Sequence, residues 1–299
     1  MIREWDDLRL FLTVARRGTI AAAAPQLDMV TATVRRRLEA LESRVGEALF
    51  VSVGAGLAVS ETGGRLLPIV ERLESATRAF AVAAERERDA ASGVVRVSAS
   101  EVIAQYLLVP LFARLRRTHP DIAISLIAQN GPARFDPVEA DVGVALIEPR
   151  SDDVACAIVG QFEMGLFGRT DLLDRIGRPR RPEDLRHMPL AGSPGHPWNI
   201  YGRLGLNEAT LAFRVNTDSF AGQFDAVRSG MAIGACNVDF VARFDDVQRV
   251  LPDYRHVGPI WLATDAHQAD VLRVEIVRDA IAEAIAVSGM AMPGDKATS

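Results

Sequence analysis

Apolar residues recur with a helical period through the first third of the chain. Val34, Leu38, Leu41 and Val45 fall at i, i+4, i+7 and i+11, which at about 100° per residue puts them on one stripe. The stripe predicts a helix that packs on its neighbours and ends at Gly46, with Leu49 and Phe50 closing the same core. Ala32, Arg36, Glu39 and Ser43 point the other way, and Arg35 and Arg37 flank the stripe. Upstream, Leu8, Phe11, Leu12 and Ala15 share one face of a helix from Trp5 to Arg17 that stops at Gly18. Thr19 can cap the next segment, "IAAAAPQL", where Pro25 predicts a bend or an early end. Two short helices joined by a tight turn, the second bearing basic residues, form a helix-turn-helix pattern. Alternation in "VSVGAGLAVS" predicts a small β-hairpin. Its glycines lack the Gly-Lys-Ser/Thr of a phosphate loop, so they read as a turn.

Ser60-Glu61 opens a long helix to about Ala91, with an apolar seam of Leu66, Ile69, Val70, Leu73, Thr77, Phe80 and Ala84. A helix of about 30 residues is long for an ordinary core element and reads as a connector that pairs with a second copy. Pro68 allows a kink in its second turn. From Ser92-Gly93 onward, strand patterns ("VVRVSAS", "IAISLIA", "ADVGVALI", "EMGLFGR", "TLAFRVN", "MAIGAC", "PIWLATD") alternate with helical ones at about 101–118, 219–230 and 269–286. Alternation of that kind predicts parallel sheets in an α/β domain. The closing "SGMAMPGDKATS" reads as a frayed tail.

With 299 residues, the chain is long enough for about two domains, and 48% hydrophobic residues support a large core. Its net charge is −5, unlike many nucleic-acid binders, but residues 1–60 carry eight arginines against seven acids. DNA affinity would therefore depend on local charge placement. Cys156 and Cys236 have no CxxC spacing, which argues against a disulfide scaffold or zinc ribbon and fits a reducing compartment. The acidic start "MIREWDDLRLF" does not read as a signal peptide, and no apolar run reaches the ~20 residues of a membrane span. The expected location is cytoplasmic.

Three consecutive arginines, Arg35 to Arg37, sit near the positive end of their helix, where cations are favoured only opposite something negative. A solvated charged face and a phosphate backbone both answer that description. No catalytic signature appears: Ser193 in "AGSPG" lacks the Gly-x-Ser-x-Gly elbow, and the histidines show no metal spacing. No cofactor or metal is expected. In α/β domains small molecules bind beyond strand C-termini and at helix N-termini. The candidates are Ser98, Ser100, Glu101, Val102, Asn130, His196, Thr217 and Cys236. Ser100 could equally be a simple helix cap, and Glu101 would oppose a purely acidic ligand.

"LRLFLTVARRGTIAAAAPQL", "ATVRRRLEALESRVGEALF" and "SETGGRLL" resemble the LysR-type transcriptional regulators, with Leu41, Glu42, Gly46, Leu49 and Phe50 matching a characteristic run. "GVVRVSAS", "ADVGVAL", "AVRSGMAIGA" and "IWLATDAHQADVLRVEIVRDAI" resemble the later layout of that family. The resemblance implies an α/β protein overall. A winged helix-turn-helix would occupy 1–60, a linker and dimerisation helix 61–91, and a two-subdomain, Rossmann-like effector domain of the type 2 periplasmic-binding-protein kind 92–299. Subdomain I would span 93–160 plus 261–290 and subdomain II 161–260, with crossings near Gly160–Glu163 and His256–Trp261 and the ligand between them.

It also implies a non-enzymatic regulator that binds double-stranded DNA as a homodimer or homotetramer, responds to a small-molecule effector and has RNA polymerase as a further partner. Since bases are read from the N-terminal part of a recognition helix, the DNA-contacting set is Thr19, Thr31, Ala32, Thr33, Arg35, Arg36, Arg37 and Ser52, with Arg37 as a phosphate clamp. The chain departs from the family pattern in three places. Val30-Thr31 stand where Ser-Gln is common, Arg35 replaces a usual Ser, and the wing carries Ser52 where a basic residue is common. Three other readings compete: a regulator whose C-terminal half only oligomerises, a solute-binding protein, and an α/β enzyme.

Overall fold

The computed structural model describes residues 5–54, 56–85, 92–194 and 200–290. The chain divides into two compact units, 1–85 and 86–299.

In the first unit, α1 (Trp5–Arg17) buries Leu10, Phe11, Leu12 and Val14. Gly18 turns the chain with a positive φ, and the Thr19 hydroxyl accepts from Ala22 N at 3.1 Å, capping α2 (Ile20–Ala23). The helix stops ahead of Pro25, which opens a 3₁₀ turn, Pro25–Leu27; proline is tolerated there because a helix's first N–H groups have no partner to lose. α3 (Thr31–Val45) buries Val34, Leu38 and Leu41 and ends at Gly46, φ 87°, a conformation that glycine adopts without steric cost. Phe50 leads β1 (Phe50–Val53), which pairs antiparallel with β2 (Gly56–Val59), and its ring lies 5.4 Å from that of Phe11. The Glu42 carboxylate accepts from Leu49 N (2.7 Å) and Phe50 N (3.2 Å), tying α3 to the hairpin.

α4 is described over Glu61–Glu85. Its expected seam divides in two. Val70 is buried in the core of this unit, whereas Ile69, Leu73 and Phe80 are exposed by 45%, 45% and 77%. Glu74, which is not part of that apolar seam, is buried and bonded to both terminal nitrogens of Arg16.

The second unit is built on a six-stranded sheet of order β4-β3-β5-β10-β6-β9. Its strands are β3 (Gly93–Ser100), β4 (Ile122–Gln129), β5 (Val142–Ala145), β6 (Val154–Arg169), β9 (Gly234–Asn237) and β10 (Val247–Asp265). Short β7 (Leu190–Gly192) and β8 (Phe213–Asn216) form a separate parallel pair. The expectation of parallel sheets is corrected for the larger sheet, which is mixed. β3 runs parallel to β4 and β5, but β10 is antiparallel to β5 and β6, and β6 to β9. "EMGLFGR" and "PIWLATD" are the ends of two strands of 16 and 19 residues. The long strands pair through the proposed crossings, where Ile260 faces Gly160 and Val257 faces Glu163. Two strands that carry the chain in opposite directions across one waist must pair antiparallel.

Helices cover the sheet. α5 (Glu101–Ile103), a π-turn (Ala104–Leu108) and α6 (Val109–Thr118) follow one another without a break. Pro110 has no N–H to return to the Tyr106 carbonyl; that oxygen accepts from Arg243 Nη1 at 3.0 Å. Further on lie α7 (Thr170–Ile176), α8 (Ile200–Arg203), α9 (Phe220–Arg228), α10 (Val238–Val241) and α11 (Leu272–Ala286). The expected frayed tail is corrected over residues 288–290. Met290 is buried, and its carbonyl accepts from Gln161 N at 2.8 Å. Residues 291–299 lie outside the described residues.

Candidate functional site

The first candidate surface is the outward face of α3. Thr31, Ala32, Arg35 and Arg36 are exposed and Thr33 is half-buried, while the opposite stripe is in the core. Arg37 behaves differently. Its Nε and Nη2 donate to Asp7 Oδ1 at 3.0 and 2.7 Å, and Arg44 pairs with the other oxygen of the same carboxylate. Asp7 is only 3% exposed. Burial alone would raise its pKa, but the hydrogen bonds and charges of Arg37 and Arg44 outweigh that and hold it below the usual carboxylate range. The side chain that the sequence reading gave to a phosphate thus braces α3 against α1, through two of its three guanidinium nitrogens. Thr19 is half-buried with its oxygen engaged as the α2 cap, and Ser52 is exposed on β1. The wing, as expected, presents no charged side chain: β1 and β2 read "FVSV" and "GLAV".

The second candidate is a cleft in the unit that follows, with about 1050 Å³ of empty space that includes the open solvent at its mouth. It brings together four of the sequence-predicted residues, Ser100, Val102, Thr217 and Cys236. Ser100 precedes α5, is 3% exposed and makes no capping bond with its side chain. Thr217 Oγ1 accepts from Ser219 N at 3.1 Å, shaping the corner ahead of α9. Cys236 is buried, and burial pushes its thiol pKa up, so the sulfur is neutral. Three of the remaining predicted residues are placed elsewhere. Ser98 is buried within the sheet, opposite Gly143 of β5, and Asn130 is exposed beyond β4 and does not line the cleft. Glu101 lies outside the lining too; its Oε2 accepts from Ser219 Oγ at 2.8 Å. His196 falls outside the described residues.

Several lining residues escaped the sequence reading. Phe162, Met164, Phe220, Phe224 and Phe240 make the lining largely apolar. The i, i+4 spacing of Phe220 and Phe224 was a usable signal. Arg203 and His256 carried none, because they are 53 positions apart and meet only in the fold. Arg203 Nη1 donates to His256 Nδ1 at 2.8 Å. Burial, then the Arg203 charge, lowers the His256 pKa, so the imidazole is a neutral acceptor. Behind the cleft wall, the buried Tyr201 hydroxyl lies 3.0 Å from the carbonyls of Ala191 and of Ile233, joining β7 to the strand region beside it.

Among the described residues no group of three or more His, Cys, Asp or Glu could hold a metal, and no helix is long and apolar enough to cross a membrane. A hydroxyl, a neutral imidazole and a neutral thiol on an apolar lining suit binding.

Comparison with known proteins matches both halves of the chain to family models. Residues 5–64 match the model of the bacterial regulatory helix-turn-helix proteins of the lysR family, and residues 88–286 match that of the LysR substrate binding domain. The transcriptional regulator CrgA of Neisseria meningitidis serogroup C is 25% identical over 245 residues, 80% of this chain and 79% of CrgA. Two solved structures share the fold. The Vibrio cholerae virulence activator AphB has a TM-score of 0.57 at 22% identity, covering 93% of this chain and 98% of AphB. The structure of Neisseria meningitidis CrgA has a TM-score of 0.56 at 19% identity, covering 95% and 99%. Its helix-turn-helix head, its effector-domain fold and the two family matches establish that the chain belongs to the LysR family of bacterial transcriptional regulators.

Proposed function

We propose that this regulator reads its operator with the N-terminal half of α3 in the major groove, and that a small molecule in the cleft controls it. The observation that carries the first half is the exposure of Arg35 and Arg36 on a helix whose other side is buried and whose Arg37 is anchored to Asp7. An exposed guanidinium can grip a guanine edge in bidentate fashion, worth about 1–3 kcal/mol of discrimination. Thr31 and Thr33 add methyl groups suited to thymine contact. Ser52 and the uncharged wing contribute backbone contacts only.

The exposed Ile69, Leu73 and Phe80 of α4 support assembly as a homodimer or a higher homo-oligomer. An effector acts by binding one arrangement of the oligomer more tightly than another. The cleft is assigned binding and no covalent chemistry, and the protein a cytoplasmic role on double-stranded DNA, with RNA polymerase as a further partner.

Selection of genomic DNA by the purified protein tests this reading directly. Recovery of a two-fold symmetric site, bound less tightly after R35A/R36A, is the expected result. Enrichment of no site, or indifference of the double variant, overturns it. For the cleft, ligand-dependent thermal stabilisation across a metabolite panel is the corresponding measurement.

A further inference from the structure

α1 carries an ion pair near each of its ends. Close to its start, the Asp7 carboxylate holds Arg37 of α3 at 2.7 Å. Close to its other end, Arg16 grips Glu74 of α4 with two bonds: Nη2 donates to Oε2 at 2.9 Å and Nη1 to Oε1 at 3.3 Å. At 1.5 Å per residue the two tied positions lie about 14 Å apart along the helix. α1 is thus a short rod with the recognition helix fixed to one end and the long helix to the other.

The remaining ties of α4 to the head are less directional. Thr62 and Arg65 reach Glu47 at the first turn, where exposed contacts are weak. Leu66, Leu67 and Val70 then pack on the core of the head, but apolar burial has no preferred direction. Glu74 fastens the helix beyond that packing. A guanidinium and a carboxylate joined by two bonds fix orientation as well as distance. Glu74 is buried, so salt screens the pair little. An apolar pair of similar size would hold the helices together as well; orientation is what the ion pair adds. Leu73, next to Glu74 in sequence, is exposed together with Ile69 and Phe80.

We propose that Arg16 and Glu74 are positioning residues that fix the half-site separation a dimer of this chain accepts. Their role rests on the assignment of α3 to the major groove and of α4 to assembly. Half-sites of a two-fold operator lie one helical turn or a multiple apart, and base pairs stack about 3.4 Å apart. The angle at which α4 leaves the head sets where the paired α3 helices fall on that ladder. Arg16 acts through Glu74 and reads no base.

The test uses the full-length protein and synthetic duplexes carrying the half-site recovered by genomic selection. One duplex holds a single copy; the others hold inverted repeats at the selected separation and at one and two base pairs either side. Wild type is expected to lose about tenfold in affinity per base pair of displacement, because protein or DNA must deform to reach the second half-site. R16M/E74L keeps the contact filled and removes its charges. It should bind the single half-site within about twofold of wild type and flatten the separation profile to about threefold. R16K keeps the charge without the two-pronged geometry and should flatten the profile part-way. Melting and sedimentation velocity establish the fold and oligomer of each variant. Should R16M/E74L fail to fold, R16K decides by the same criteria. Superimposable profiles for variant and wild type overturn the proposal. So does an equal loss at every separation and on the single half-site, which would make the pair a support of the head alone. A flat wild-type profile overturns it too, while reading by α3 stands. A monomeric wild type overturns the assembly reading along with it.

Discussion

Ser219 Oγ donates to Glu101 Oε2 at 2.8 Å, joining the start of α9 to the start of α5 across 118 positions of sequence. The same hydroxyl accepts from Gly222 N at 2.9 Å, so one side chain caps a helix and clasps its neighbour. Deeper along the same contact, the Tyr106 ring lies 5.3 Å from Phe224 and 5.7 Å from Phe240, both of which line the cleft. A ligand on these phenylalanines would therefore touch the groups that hold the two helices together. S219A removes the cap as well as the clasp and is expected to cost about 1 kcal/mol. E101A removes the clasp alone and should cost less. Hydrogen exchange checks both: the first turn of α9 should exchange faster in S219A than in E101A.

The two-arginine grip on Asp7 predicts a pH signature. The folded pKa of Asp7 is depressed, so its contribution is fully present above the unfolded value near 3.9. It fades as pH falls through the lower folded value. D7N should lose about 2 kcal/mol at pH 7, the scale of a hydrogen-bonded charged pair. Denaturation at stepwise lower pH should show the gap between wild type and D7N closing below about pH 4. A gap that stays constant to pH 2.5 would contradict the assignment.

Within the arginine triplet the roles divide. R35A and R36A should each weaken operator binding by about 1–3 kcal/mol if they read bases, or reduce the salt slope by about 0.9 if they meet phosphates. Neither should lower the melting temperature by more than a degree or two. R37A should do the reverse, losing stability first because it breaks the Asp7 brace. Fluorescence anisotropy over a salt series, paired with thermal melts, separates the two behaviours.

Close approach at Gly160 gives a packing prediction. A Cβ there would lie 2.3 Å from Met290 O and 2.7 Å from Ile285 Cγ2. G160A must push back the segment that follows α11, at a cost of about 1–3 kcal/mol. The melting temperature of the effector unit reports it, and an unchanged value would show that this segment is not held against β6.

The outward residues of α4 bear on assembly. L73E or F80E places a charge on an exposed apolar position, so each should leave monomer stability nearly untouched. Sedimentation velocity should show each shifting the oligomer toward smaller species.

Sequence periodicity determined the helices of the head, the hairpin and most strands of the larger unit, and particular residue runs, such as Leu41, Glu42, Gly46, Leu49 and Phe50, carried the resemblance to the family. Those features rest on contacts between near neighbours: one buried stripe on a helix, one alternating strand, a glycine where φ turns positive. The same periodicity marked Arg35 and Arg36 as outward-facing, because direction on a helix follows from spacing. Only the tertiary structure decided what Arg37 holds, since its partner Asp7 lies 30 positions away on another helix. It also turned two expected short strands into the long antiparallel pair β6 and β10 and placed Arg203 beside His256. It drew Met290 back onto the sheet as well. An amphipathic pattern states which side of an element is buried; it carries no record of which remote group will meet it there.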